Sequence, residues 1–238
     1  MLAAHKLAIV QNSHKRSYQS RRRNANASTA VVARLAAFAT PAFYEKGAFL
    51  FVEGQPSRGV FILCSGRVKL FTSSTDGKTF ILRFAEAGEI LGLAGTLSGH
   101  PCEAWAEAIE PTAASFVEQE RFVGAVQNNH ELAVHVATQL GESYCSAIAE
   151  VRVMGLSRTA SEKLAIFLLD WRESNRPFEE QAGSRFSMTH EEIGQVVGIS
   201  RETVSRLLSR FRKKGLIQWR NCNLVLSDRA ALETLAAS

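Results

Sequence analysis

The stretch from Met188 to Leu208 constrains this chain most. It reads Met188-Thr189-His190-Glu191-Glu192-Ile193-Gly194-Gln195-Val196-Val197-Gly198-Ile199-Ser200-Arg201-Glu202-Thr203-Val204-Ser205-Arg206-Leu207-Leu208. Thr189 followed three residues on by Glu192 forms a capping box that starts one helix; Gly198 breaks that helix where a tight turn is needed, and Ser200 caps the next. Ile193, Val197, Ile199, Val204, Leu207 and Leu208 fall on the inward faces. This spacing is that of a helix-turn-helix, whose second helix, here 200–214, enters the major groove of double-stranded DNA.

The outward face of that second helix carries Arg201, Glu202 and Arg206. Arginine bonds guanine O6 and N7 bidentately, and glutamate accepts from cytosine N4. On an ordinary helix the same Glu202 and Arg206 form a solvated i,i+4 ion pair; the surrounding helix-turn-helix shifts the reading to DNA contact. Gly215 ends the helix, and Leu216–Leu226 reads as a short hairpin with Trp219 and Asn221–Asn223 near its turn, a wing. Arg210, Arg212, Lys213 and Lys214 face either phosphate or solvent. No P-loop, nucleophile elbow or HExxH pair occurs, so no catalytic residue is assigned and an enzyme is not expected.

Charge is distributed to match. Residues 1–34 hold seven Lys/Arg and no acid, 35–156 hold eight basic against thirteen acidic groups, and 157–238 hold thirteen against ten. The ends, not the acidic middle, suit a polyanion. The 1–34 tail lacks a firm period and reads as disordered. Its Arg clusters leave three readings open: a nonspecific nucleic-acid arm, an organelle transit peptide, or a solvated extension with a miscalled start. No apolar run approaches the ~20 residues of a membrane span. Cys64, Cys102, Cys145 and Cys222 lack any CxxC spacing, so neither a disulfide framework nor a structural zinc site is expected, and a reducing, cytoplasmic setting is.

The middle is a succession of short apolar runs punctuated by glycine: Phe49–Val52, Val60–Cys64, Val68–Phe71, Phe80–Phe84 and Ala113–Val117. Gly66, Gly77 and Gly88 fall eleven residues apart, the spacing of a small β-barrel or roll. Asp76-Gly77 predicts a two-residue type I′ hairpin turn. After Phe116 the period becomes helical, and Asn128-Asn129 offers a cap for a long helix to about Met154. Ala133, Ala137, Leu140, Tyr144, Ala147, Val151 and Met154 repeat at four and three. Such a stripe predicts a parallel homodimer seam, the alternative being a helix packed on its own barrel. Gly155 interrupts this helix and serves as a hinge, Ser157 caps the next, Arg158 to about Trp171, and Glu173–Ser184 reads as a polar loop.

This order of parts resembles the Crp–Fnr family of bacterial transcription regulators. The resemblance rests on Glu192–Gly198 followed by Ser200–Arg206, on Gly54-Gln55-Pro56-Ser57, on Gly66–Leu70 and on Asp76-Gly77-Lys78. It implies an α+β fold: an N-terminal β-roll of jelly-roll (double-stranded β-helix) type, a long dimerisation helix and a C-terminal winged helix-turn-helix. The expected segments are the tail 1–34, the effector-sensing roll 35–128, the dimer helix and hinge 129–155, and the DNA-binding domain 156–238. By resemblance, Arg201, Glu202 and Arg206 read a TGTGA-like half-site twice in a palindrome, while Thr189, Ser200 and Thr203 meet the phosphate backbone. RNA polymerase is the implied further partner.

The effector residues of the family do not carry over. Where cyclic-AMP-binding relatives have a ribose-binding Glu, this chain has Leu93; the region of their Arg-Ser phosphate pair reads His100-Pro101-Cys102-Glu103-Ala104, and for the adenine-contacting hydroxyls it has Ala147-Ile148. An acid beside a buried phosphate is costly, so cyclic AMP is not expected. The cysteine-free tail cannot assemble the family's iron–sulfur cluster. His100 is the one roll histidine available for haem, and a solvent-facing loop is its expected setting. Cys102 suggests a redox thiol, which Glu103 opposes. An effector pocket for an unidentified small molecule is expected at Gly88, Glu89, Leu93, Cys102, Glu103 and Tyr144, with no metal. The competing function is a ligand or thiol-redox sensor in which DNA binding is secondary.

Overall fold

The computed structural model describes residue 35 and residues 38–155, 159–182, 188–220 and 223–237. The expectations for the 1–34 tail, for the cap at Ser157 and for Asn221 and Cys222 of the wing tip lie outside them. The described residues divide into two compact units, the first ending at Tyr144 and the second starting at Cys145.

The first unit is the roll. Its elements are β1 (Thr40–Tyr44), β2 (Phe49–Phe51), β3 (Gly59–Ser65), β4 (Arg67–Ser73), β5 (Thr79–Glu86), β6 (Ile90–Leu91), α1 (Leu93–Ser98), β7 (Trp105–Ala108), β8 (Thr112–Glu118), α2 (Gln119–Asn128) and the first half of α3 (His130–Gly155). Two four-stranded antiparallel sheets, in the orders β1-β8-β3-β6 and β2-β7-β4-β5, form the layers. The chain passes from one sheet to the other at Gly66, φ +83°, where a Cβ would stand 2.4 Å from Thr112 Oγ1. Sterics and left-handed backbone together demand glycine there.

Strand β3 is apolar from Val60 to Leu63 because both its faces are covered there. Leu63 joins Leu50, Phe51, Val68, Leu70, Ala85, Leu91 and Cys102 inside the roll, with Phe61 packed against them. Val60 and Ile62 point the other way, into a second core with Leu35, Ile90, Leu93, Val117, Phe122, Leu132 and Val136 that α2 and α3 close. A strand buried on both sides reads as a continuous hydrophobic run. Asn129 Oδ1 accepts from the Leu132 N–H at 3.0 Å and caps α3.

The β4–β5 turn differs from the expectation. Gly77 N–H donates to Ser74 O at 2.9 Å, so Thr75 and Asp76 are the central residues, and Gly77 follows them at φ +79°. Ser74 N–H in turn donates to Lys78 O. This is the longer hairpin in which a turn is completed by a left-handed glycine, not a two-residue type I′ loop.

The second unit continues α3 and adds α4 (Ala160–Ala182), α5 (His190–Val197), α6 (Arg201–Lys213), the hairpin β9 (Ile217–Arg220) and β10 (Asn223–Leu226), and α7 (Arg229–Ala237). Leu164, Leu168, Ile193, Val204, Leu207, Phe211, Ile217, Leu224 and Leu232 share one core. Helix α4 runs on to Ala182 where a polar loop was expected from Glu173. Arg172, Glu173, Glu179, Glu180, Gln181 and Ala182 are good helix formers, and polarity alone does not end a helix. No described helix is long and apolar enough to cross a membrane.

Candidate nucleic-acid interface

Helix α5 begins at the expected capping box. Thr189 Oγ1 accepts from Glu192 N–H at 3.1 Å, and Glu192 Oε2 accepts from Thr189 N–H at 2.7 Å. At the other end Gly198, φ +72°, donates its N–H to Gly194 O at 2.8 Å, and Ile199 donates to the same carbonyl at 3.0 Å. A Cβ on Gly194 would stand 2.6 Å from Ile199 O. The turn therefore folds back on the helix closely enough to exclude any side chain at that position.

Ser200 caps α6: its Oγ accepts from Thr203 N–H at 3.3 Å and lies 3.0 Å from Thr203 Oγ1. Val204, Leu207, Leu208 and Phe211 are buried beneath the helix, and Ile193 and Val197 of α5 meet them. Ile199 packs at the edge of the same core. A bond of 2.8 Å between His190 Nδ1 and Ser205 Oγ ties α5 to α6. Nothing in the sequence spacing announces this bond; it follows from how the two helices cross.

The outward face of α6 presents Arg201, Glu202, Arg206 and Arg210 to solvent. Among the described residues no ion pair joins Glu202 to Arg206. The Glu202 carboxyl lies below its usual range because its own backbone N–H bonds it, assisted by the Ser200 hydroxyl and the neighbouring Arg201 charge. It is held anionic, an acceptor only, on the same face as the exposed guanidinium forks of Arg201 and Arg206. Arg210, Arg212 and Lys213 occupy the last turn, where cations complement the helix dipole. Gly215, φ +73°, ends the helix.

The three hydroxyls differ in what they have left to give. Ser200 and Thr203 share one bond between their hydroxyls, so one of the two protons stays available to an external acceptor. Thr189 Oγ1 donates to Glu192 Oε2 at 3.0 Å while accepting from Glu192 N–H, so a phosphate there has to displace an existing bond. The wing is present as β9 and β10, with Trp219 opposite Leu224 and Gln218 opposite Val225.

In the roll, the six residues expected to form one pocket do not converge. Leu93 is buried in the helix-side core and Cys102 in the roll interior, on opposite sides of the same sheet. Glu103 is exposed, and Tyr144 is 68% exposed. Gly88 makes the corner before β6, donating its N–H to Leu63 O at 2.8 Å, and Glu89 is bound to Arg83. The Cys102 thiol is pushed up by burial and further by Glu103, which disfavours the thiolate. His100 is exposed and bonds Ser98 Oγ through Nδ1 at 2.9 Å.

Comparison with known proteins accounts for both units. Residues 41–129 match the family described as the cyclic nucleotide-binding domain, and residues 162–235 match the Crp-like helix-turn-helix domain. The transcriptional activator protein anr of Pseudomonas aeruginosa is 32% identical over 197 residues, covering 81% of this chain and 78% of that one. The chain belongs to the Crp/Fnr family. The cAMP-activated global transcriptional regulator CRP of Pasteurella multocida is 27% identical over 175 residues, 73% of this chain and 83% of that protein. The solved structure of FixK2 from Bradyrhizobium japonicum superposes with a TM-score of 0.70 at 28% identity, covering 84% of this chain and 98% of that one. The protein is thus a Crp/Fnr-type DNA-binding transcription regulator with a sensing domain of the cyclic-nucleotide-binding type. Its α+β fold, roll followed by helices and helix-turn-helix, is that of the family.

Proposed function

We propose that this Crp/Fnr regulator is a cytoplasmic homodimer that reads a palindromic, TGTGA-like operator and recruits or blocks RNA polymerase there. The observation that carries the reading is the outward row of Arg201, Glu202 and Arg206 on a helix whose opposite face is fully buried. Arg201 and Arg206 suit guanine, Glu202 suits cytosine, and the one hydroxyl proton left over between Ser200 and Thr203 suits a phosphate oxygen.

The dimer is read from α3, with a changed register. Leu140 turns to the roll's own core, so it leaves the expected seam. Among the described side chains, which do not include the expected seam residue Met154, the large apolar ones that α3 exposes are Val134 and Tyr144 in the first unit, and Ile148 and Val151 in the second. Ala137 and Gly141 are exposed at the intervening positions. Val134, Ala137, Gly141, Tyr144, Ile148 and Val151 repeat at three and four, and Gly141 lets two helix backbones approach closely.

Cyclic AMP does not fit the roll as built. The positions that resemble its ribose and phosphate ligands hold a buried leucine, a buried thiol and an exposed acid, and no cation replaces the missing arginine on that loop. Haem and an iron–sulfur cluster are not adopted either: His100 is the one histidine of the 35–128 roll, and the 1–34 tail contains no cysteine. The thiol-redox alternative meets the raised Cys102 thiol.

Competition between a TGTGA–N6–TCACA duplex and a scrambled duplex, at one fixed physiological salt concentration, tests the proposal. The expected result is selective binding by a dimer. Equal binding to both duplexes by the effector-free protein and by protein recovered from cells overturns the operator reading.

A further inference from the structure

The roll holds a cation that sequence order conceals. Arg83 lies on β5 directly across from Leu70, one step from the Val68–Ala85 pair. Leu70, Val68 and Ala85 all belong to the roll's interior core, and partners across an antiparallel pair share a face. The Arg83 side chain therefore enters the roll from the sheet β2-β7-β4-β5, and it keeps 24% of its surface accessible.

Its partner stands on the other sheet. Glu89 precedes β6, and its carbonyl accepts from Leu63 N–H of β3 at 2.9 Å. Glu89 Oε2 accepts from Arg83 Nη1 at 2.5 Å, while Oε1 accepts from Glu86 N–H at 3.0 Å. Among the described residues Glu89 is the one acceptor the guanidinium meets, leaving Nε and Nη2 of a fork that matches planar oxyanions. Ile90, next in the chain, is held by the long helix: Gln139 Oε1 accepts from Ile90 N–H at 3.2 Å, and Gln139 Nε2 donates to Ile90 O at 2.6 Å. The side-chain amide so completes the open edge of β6 as a neighbouring strand does.

We propose that Arg83 anchors an effector site for a small oxyanion, a carboxylate or phosphate group, and that Glu89 occupies the guanidinium until such a ligand displaces it. Displacement releases Glu89 from the corner before β6, and Ile90 passes that movement to Gln139 on α3. Glu89 is thus a built-in competitor and Gln139 a positioning residue between roll and helix. This deepens the sensing half of the function proposed above and rests on it for the DNA output only.

The test titrates the full chain calorimetrically with inorganic phosphate and with succinate, using chloride at equal ionic strength as reference. Saturable binding of at least one probe is expected, weakened tenfold or more in Arg83→Gln and tightened several-fold in Glu89→Gln. Phosphate binding alone assigns a phosphate-bearing effector, and succinate binding alone a carboxylate. Neither probe saturating wild type or Glu89→Gln overturns the site, as does equal binding to Arg83→Gln and wild type. The same probe is expected to change operator affinity in wild type but not in Gln139→Ala, which still binds it; an unchanged wild-type affinity overturns the relay. Because the titration contains no DNA, its outcome separates failure of this site from failure of the operator reading.

Discussion

The helix-turn-helix and the roll are constrained over different distances along the chain. Between α5 and α6 the decisive contacts are local: Gly194 against Ile199, Gly198 back to Gly194, Ser200 on Thr203. In the roll they join distant segments, such as Gly66 packed on Thr112 and Gln139 bonded to Ile90. A DNA reader specified by one contiguous stretch tolerates change elsewhere in the chain. A sensing module assembled from remote pairs depends instead on strand register and on where α3 lands.

The contrast is most severely tested by removing a side chain buried in only one unit. Phe211→Ala leaves a cavity under α6 and is expected to destabilise the second unit by about 3–5 kcal/mol, abolishing operator binding. Denaturation followed by amide exchange should show normal protection of β3 and β8 in the same variant; joint loss would mean that the two units fold as one. Gly194→Ala follows, at about 1–3 kcal/mol from overpacking, again confined to the second unit. Its counterpart, Gly66→Ala, is expected to affect the roll alone, and urea midpoints of the two variants check the pair.

Thr189→Ala removes the capping box and is expected to cost about 1 kcal/mol. Because its hydroxyl is already engaged by Glu192, operator affinity at saturating stability should fall little, and a large loss would restore a direct phosphate contact. The smallest effect concerns pH. His135 is buried on α3, its Nε2 has no hydrogen-bond partner among the described residues, and burial holds its imidazole below the ordinary value of 6.5. The unfolded chain then binds the extra proton first, so stability is full above pH 6.5 and declines as pH falls below it. Urea midpoints between pH 7.5 and about 5, above the ordinary carboxylate range, should show this slope, and His135→Leu should flatten it.

Much of the recognition unit was legible because each signal acts within a few residues. Thr189 with Glu192, Gly198 and Ser200 specify caps and a turn by themselves, and the inward positions follow from a helical period. Helix α7 carries a local signal of the same kind: Asp228 Oδ1 caps it by accepting from Ala231 N–H at 2.9 Å, and Leu232 and Ala236 share its buried face. The roll was legible only as a class of fold. Strand alternation tells that Phe61 and Ile62 face apart, but not that Arg83 lies opposite Leu70, since a bulge between Leu70 and Phe71 resets the register. The Arg83–Glu89 and Gln139–Ile90 contacts depend on that register and on where α3 lands. Leu140 likewise packs on the roll's own core, which the four-and-three spacing alone does not reveal, while Ala137, Tyr144, Ala147 and Val151 of the same stripe are exposed.

The central claim is that Arg201, Glu202 and Arg206 read bases. The most direct measurement compares wild type and Arg201→Ala against every single-base-pair variant of the half-site, at one salt concentration. Wild type is expected to lose about 1–3 kcal/mol at each wrong base pair, and Arg201→Ala to lose this discrimination at one position per half-site while keeping it elsewhere. A uniform loss across all sequences, with a shallower salt dependence, would show that Arg201 holds phosphate and does not read a base.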